Sequence, residues 1–372
     1  MKNKIAQIIP VLRLKRNLHY FDYLLPDKLS DQAKIGQLVE IPFRNKIIKG
    51  IILNLSPKTA SGNYALKPVI KIIDPLPFLA NWQLELIKYL ADYYFVSMAT
   101  VVKMLIPEIP KRVKEANKKI AKVSEFLIAP KAKVEIEKYY QAEKPVLLQY
   151  FKYEDKIKVY LALIKKVLAQ KKQILIIMPL LSDVKKIYQF LSEYKGTTAV
   201  FLNNLPKNKY WQEWLKIKKG QAQIIIGTRS AIFAPFKDLD LIIIDDEDNE
   251  NHKQEEPNPR YNAKDVALKL KELLKTKLIF TALTPSLNSF YQTENKDWQY
   301  FAVNQFENIP QIKIIDKKEE FKKNNYGTLS EELIKDDMFV RKVKYGCSIS
   351  EDFKLRKTFS FKNFTTTLDS SS

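Results

Sequence analysis

Glycine is scarce in this chain. Eight occur in 372 residues, at 36, 50, 62, 196, 220, 227, 327 and 346, where about 7% is ordinary. None lies between Gly62 and Gly196. A phosphate-binding loop in that stretch would lack the residue that lets successive backbone N–H groups close on an anion. Cysteine is scarcer still. Cys347 alone cannot form an internal disulfide, and with only His19 and His252 beside it there is no ligand set for a structural zinc. No run of 18 apolar residues is present, so no membrane-spanning helix and no membrane partner are expected. The opening MKNKIAQIIPVLRLKR breaks its short apolar run with Arg13, Lys15 and Arg16 and offers no small-residue cleavage site. It does not read as a secretory leader, and a reducing cytoplasm is the expected setting.

Negative charge is also in short supply. Lys and Arg number 63 against 42 Asp and Glu, a net charge of +21. Such a surplus points to polyanions such as DNA, RNA or ribosomes. A composition rich in Lys, Ile and Asn, as AT-rich coding produces, would give the same sign. The hydrophobic fraction of 46% is ample for packed cores and argues against disorder.

Periodicity divides the chain. Within residues 1–75, IAQIIPVLRL, FDYLL, GQLVEIPF, KGIILNL and KPVIKII are β-rich runs bounded by turn signals, and a small all-β barrel is expected. Residues 81–106 read as helical, with Leu84, Ile87, Leu90, Ala91 and Tyr94 on one face, until Pro107 and Pro110. Residues 111–144 are lysine-rich without a pattern and read as a basic linker. From residue 145, apolar strands (PVLLQYF, QILIIMP, TAVFLN, AQIIIGT, LDLIIIDDED, KLIFTAL) alternate with amphipathic helices. That order predicts a parallel sheet covered on both faces, with ligands at the carboxyl ends of its strands. The class is therefore α/β overall. Residues 307–337 add a strand, QIKIIDK, and a helical start, TLSEELIKDD; the tail from Met338 has no periodicity and reads as poorly ordered.

GTRSAIFAPF (227–236), LIIIDDED (241–248), KQEEPNPRYNAKDVA (253–267) and TALTPS (281–286), in that order, resemble the PriA family of primosomal replication-restart DNA helicases. HYFDYLLP (19–26), GQLVEIPF (36–43), LKPVIKIID (66–74) and LADYYFVSMATVVKMLIP (90–107) look like that family's 3′-end DNA-binding domain. The resemblance implies a 3′-end DNA-binding domain over 1–110 and a linker over 111–144, where a winged helix is reduced or absent. It further implies a degenerate RecA-like first helicase lobe over 145–306, and over 307–372 the start of a second lobe and the tail. It also implies that the family's cysteine-rich second lobe is missing, through a genuine end or a truncated reading frame.

By this resemblance Phe21, Asp22 and Tyr23 sit at a pocket for a 3′-terminal nucleotide. An Asp can accept a hydrogen bond from a 3′-OH, and an aromatic ring can stack on a base for about 1–3 kcal/mol. Strand alternation alone would instead make Phe21 and Tyr23 barrel core; we expect the pocket role for Asp22 and core packing for Tyr23. Lys67 matches a family lysine near the pocket, and Arg44 stands where the family has glycine, to block the pocket or to add a cation. Arg229 lies in a stretch near the family's nucleic-acid face, or serves as an ion-pair partner.

The nucleotide motifs depart further. A phosphate loop needs glycine N–H groups, a lysine and a hydroxyl for Mg²⁺. Lys156 falls at the lysine position, but Tyr150, Tyr153 and Asp155 stand where glycines would, and Ile157 replaces the hydroxyl residue. Glu154 and Asp155 put negative charge where triphosphate would sit, and the favoured reading of Lys156 is a surface lysine on a lost loop. Asp245 matches the Mg²⁺-organising Asp, Asp246 replaces the catalytic Glu, Glu247 is kept, and Asp248 replaces the coupling His. Asp245, Asp246 and Glu247 thus form a degenerate acidic motif with no assigned catalytic residue. ATP and Mg²⁺ belong to the family, yet neither is assigned here.

The expected function is a PriA-like protein that recognises replication-fork or 3′-ended DNA, with ATPase and helicase activity lost. Other primosome or single-strand-binding proteins are further candidate partners. The alternatives are an ATP-dependent 3′–5′ helicase fragment working with a separate second lobe, and a general basic RNA- or ribosome-binding protein.

Overall fold

A computed structural model describes residues 4–16, 18–57, 66–110, 136–303, 315–327 and 329–331. Two compact units are present, Met1–Gln305 and Phe306–Ser372.

The first unit begins with β1 (Lys4–Pro10), β2 (Phe21–Leu25), a short α1 (Asp27–Ser30), β3 (Leu38–Phe43), β4 (Lys46–Pro57) and β5 (Lys71–Ile72). They form an antiparallel sheet in the order β2-β1-β4-β3-β5. The residues before β5 reach back to β2: Leu24 N donates to Lys67 O (3.0 Å) and Val69 N to Leu24 O (2.9 Å). That second edge closes the sheet into the expected small barrel, removing its free edges. Ala6, Ile8, Tyr23, Leu25, Val39, Ile41 and Ile52 fill it from alternating positions. Gly50 belongs to this packing, because a Cβ there would stand 2.4 Å from Ile8 Cγ2.

The helix expected over 81–106 is two helices, α2 (Asn81–Tyr93) and α3 (Met98–Leu105). Phe95 turns left-handed at φ 52°, and Ser97 starts α3 as its N-cap, with its Oγ accepting from Thr100 N at 3.2 Å. Periodicity runs across the break because both helices bury one face in the same core.

The second sheet is parallel throughout. It comprises β6 (Val146–Tyr150), β7 (Gln173–Ile177), β8 (Thr198–Phe201), β9 (Ile224–Gly227), β10 (Leu239–Ile244), β11 (Lys277–Ala282) and β12 (Gln299–Val303). Their order is β12-β6-β11-β10-β7-β9-β8. The helices α4 (Tyr153–Ala169), α5 (Leu181–Phe190), α6 (Lys207–Lys218), α7 (Ala263–Leu274) and α8 (Leu287–Glu294) supply the crossovers. Each central strand is buried on both faces, which is why QILII and LIII carry no polar alternation. A seven-stranded parallel sheet with helices is the expected fold class, that of a single RecA-like helicase lobe.

One apolar core runs from Ile9, Leu38 and Ile51 of the barrel through α2 and α3 to Phe201, Trp214 and Ile242 under the parallel sheet. Phe78 stacks on Trp214 with centroids 4.8 Å apart, and Trp214 on Trp211 at 5.2 Å. Lys218 Nζ donates to Phe78 O at 2.9 Å above the stack. Of the segment read as a linker, Ile136, Tyr139 and Tyr140 instead pack in the core on the other face of the parallel sheet.

In the second unit, Asp316 caps α9 (Lys317–Lys322), its side chain accepting from Lys318 N at 2.9 Å. Most of the expected strand QIKIIDK, and the tail, lie outside the described residues.

Candidate functional site

The carboxyl ends of β6, β7, β10 and β11 converge on Asp245, the first residue after β10. Its amide donates to Ile177 O (2.9 Å), which fixes it at the mouth of the sheet. Lys156, in the first turn of α4, places its ammonium 3.0 Å from Asp245 Oδ1 and 3.5 Å from Asp246 Oδ1. Lys156 Nζ also donates to Tyr150 OH at 3.2 Å. Tyr160 OH donates to Asp245 Oδ1 and Tyr150 OH to Asp246 Oδ1. Thr281 Oγ1 lies 2.6 Å from Tyr160 OH and donates to Asp245 Oδ1 at 3.3 Å. Tyr150 and Tyr153 cover the ammonium, with ring centroids 4.6 and 5.2 Å from Nζ.

This corrects the reading of Lys156 as a surface lysine: its side chain is 5% exposed. An ammonium has three donors, and protein oxygens engage them. Burial alone would lower its pKa, but the carboxylates of Asp245 and Asp246 outweigh it and hold Lys156 above its ordinary value. Burial pushes Asp245 up, aided by the neighbouring Asp246 and opposed by Lys156. Asp246 reaches the cluster from a left-handed backbone, φ 45°, a conformation Asp adopts more readily than most residues. Within this cluster Asp245 and Asp246 outnumber Lys156 in charge. At the start of α4, Glu154 and Asp155 already occupy the first turn, where a helix dipole favours an anion.

Glu247 forms a second centre. It is buried against Lys264 Nζ (2.6 Å), Ser286 N (2.7 Å) and Ser286 Oγ (3.0 Å). Burial would raise its pKa, but the Lys264 and Ser286 hydrogen bonds overcome that and hold it below the ordinary carboxylate value. Thr284 Oγ1 donates weakly to Asp248 (3.5 Å). His252 is buried, and burial lowers its pKa, so the ring is neutral and donates from Nε2 to Asp245 O at 2.7 Å.

Arg229 is half-buried and donates to Asn251 O (3.3 Å). No carboxylate pairs with it among the described residues.

On the barrel, the β2 residues separate as alternation predicts. Tyr23 is buried, and its hydroxyl donates to Pro42 O at 3.1 Å. Asp22 is exposed, and Phe21 packs edge-on against Phe43 at 5.3 Å. Arg44 follows at the β3–β4 turn in the left-handed region, φ 51°, its guanidinium 5.9 Å from the Phe43 ring centroid. Lys67 is exposed beside β2 through its backbone bond to Leu24. Phe21, Phe43 and Arg44, from separate stretches of sequence, are thus linked ring to ring to guanidinium, while Asp22 faces solvent from the opposite face of β2 and the Lys67 backbone lies beside that strand.

Residues 10–107 match the 3′DNA-binding domain (3′BD) of PriA, and residues 157–292 match the DEAD/DEAH box helicase family. The replication restart protein PriA of Rickettsia conorii is 32% identical over 87% of this chain and 50% of its own length; that of Rickettsia felis is 30% identical over 89% and 52%. PriA of Bacillus subtilis is 33% identical over 48% of this chain and 23% of its own. The chain is similar to PriA through both its barrel and its parallel sheet. It spans about half the length of the Rickettsia relatives.

Within this PriA-like frame, the residues that sequence reasoning missed are Tyr160, Thr281, Lys264 and His252. Tyr160 and Thr281 are polar residues in otherwise apolar runs, and each polar atom meets Asp245. An unexplained hydroxyl in a buried run is a signal of this kind. Lys264 carries no such mark, because a lysine in the first turn of a helix is ordinary.

Proposed function

We propose that this chain is a PriA-like DNA-binding protein of replication restart that recognises forked or 3′-ended DNA through its barrel and does not hydrolyse ATP. The state of Lys156 carries the second half. Its ammonium is enclosed by Asp245, Asp246 and two tyrosine rings. A triphosphate would have to displace those carboxylates and rings, and no glycine within 146–160 offers backbone N–H groups in compensation.

The first half rests on the barrel. In this reading the exposed Asp22 accepts a hydrogen bond from a terminal 3′-OH, Phe21 or Phe43 offers a stacking face, and Lys67 and Arg44 meet phosphates; the exposure of Asp22 and Lys67 and the Phe21–Phe43–Arg44 contacts support it. The match of residues 10–107 supports this reading. Fluorescence anisotropy tests it, with forks carrying a free or a phosphate-blocked 3′ end. Tighter binding of the free end is expected, and equal affinity would overturn end recognition. DNA-stimulated ATP hydrolysis that disappears in Lys156→Ala would overturn the loss of catalysis.

A further inference from the structure

A groove of about 480 Å³ lies between the β1–β2 loop, the junction of α2 and α3, and the loop before α7. Arg13, Arg16, Phe95 and Arg260 line it, with Glu256 as the only acidic residue in its lining. The walls are tied together. Ser97 Oγ donates to Leu14 O (3.3 Å), holding the β1–β2 loop to α3. Tyr94 OH accepts from Asn262 N (3.0 Å) and donates to Asp265 (3.4 Å), holding the other loop to the end of α2.

Phe95 is 65% exposed, although its left-handed φ of 52° is unfavourable for an aromatic residue. The Arg16 guanidinium lies 4.5 Å from its ring centroid, which leaves the other face open. Arg13 makes no ion pair among the described residues. Arg260 meets Glu256 at 3.6 Å in an exposed pair that a phosphate can outcompete. Three guanidinium groups beside a free aromatic face are the elements that hold a nucleic-acid strand: cations for phosphates and a ring for a base.

We propose that this groove binds single-stranded DNA, with a base stacked on Phe95 and adjacent phosphates on Arg13 and Arg260. The inference rests on the reading of the chain as a DNA-binding protein. It adds a second site, at the loop whose return strand begins with Phe21 and Asp22. A strand whose 3′ end sat at the barrel could continue along the β1–β2 loop into it.

The test uses the full chain and a twelve-nucleotide oligo-dT carrying either a free or a phosphate-blocked 3′ end. The ratio of the two affinities reports the barrel pocket, and binding of the blocked probe reports the groove. Arg13→Gln with Arg260→Gln is expected to weaken both probes equally, on the order of tenfold, and to lower the salt slope by about 1.4, roughly 0.7 per phosphate contact. Phe95→Ala should weaken both by roughly fivefold or more, and Phe95→Tyr should restore them. Melting temperature checks that these exposed substitutions leave the fold intact. Unchanged binding of the blocked probe in the variants, with the end ratio retained, overturns the groove and leaves end recognition standing. A ratio of one in the wild type, with the variants still weaker, does the reverse. Stronger binding to oligo-rU than to oligo-dT would also overturn the assignment to DNA.

Discussion

Lys156→Ala removes the cation that pairs with Asp245 and Asp246 among the described residues, and Asp245 has a side chain only 1% exposed. Breaking a buried ion pair from one side typically costs about 3–5 kcal/mol, because the remaining charge stays desolvated. Three features keep this site from the bottom of that range, and its middle is taken. Two carboxylates share the ammonium, Tyr150 OH loses its contact with Nζ at 3.2 Å, and the covering rings of Tyr150 and Tyr153 lose their cation. The unit Met1–Gln305 is larger than the 150–250 residues for which 1 kcal/mol shifts the melting temperature by about 2–4 °C, so the low end applies, and ~4 kcal/mol lowers it by roughly 8 °C. The deficit has a definite pH dependence. Without Lys156 the buried Asp245 carboxyl is pushed further up than in the wild type, so its protonated form is favoured in the folded state. The penalty is then largest at neutral pH and shrinks as pH falls through the raised pKa. Adding Asp245→Asn to Lys156→Ala should recover at least half of the loss by removing the stranded charge. Differential scanning calorimetry at pH 5 and pH 7.5 measures all of this. A shift under about 2 °C at pH 7.5 would refute the claim that Lys156 is an internal structural cation.

Other expectations concern separate parts of the molecule. Asp22→Ala should abolish the preference for a free over a blocked 3′ end in anisotropy while leaving the melting temperature within ~1 °C, since Asp22 is exposed. Arg44→Gly should relieve the left-handed backbone at φ 51° and raise stability by up to about 1 kcal/mol in urea denaturation; a loss would show that the Arg44 contact with Phe43 matters more. Trp214→Ala, deep in the stack with Phe78 and Trp211, should cost about 3–5 kcal/mol by the same assay. The His252 contribution to stability should fall as pH drops below about 6.5, where the unfolded chain protonates this ring but the folded chain resists, and that of Glu247 below about 4.5, where the unfolded chain takes up a proton that the folded carboxylate resists. His252→Gln keeps a donor toward Asp245 O and should remove the first of these two steps.

Several features were legible because they rest on local physics. The β-rich runs before residue 75 and the uninterrupted apolar strands after 145 follow from side-chain periods and from burial on both faces of a parallel sheet. Tyr23 inside and Asp22 outside follow from alternation along β2. The break at Tyr94–Ser97 was hidden, because two helices that bury one face in a common core keep a common period. The burial of Ile136, Tyr139 and Tyr140 was hidden too, since a lysine-rich stretch gives no sign of three apolar residues that a sheet will cover.

The sequence by itself determined the layered architecture, the acidic run after β10 and the absence of glycine from the stretch aligned with a phosphate loop. Only the tertiary structure decided the condition of Lys156. Position along the chain marked a lysine beside altered neighbours, and such a residue on a first helical turn is equally compatible with solvent or burial. Burial was set by Asp245, 89 positions away, by Tyr150 from the adjoining strand, and by Tyr160 one helical turn onward. Charge pairing across a sheet edge is a property of distance in space, which spacing along the chain does not encode.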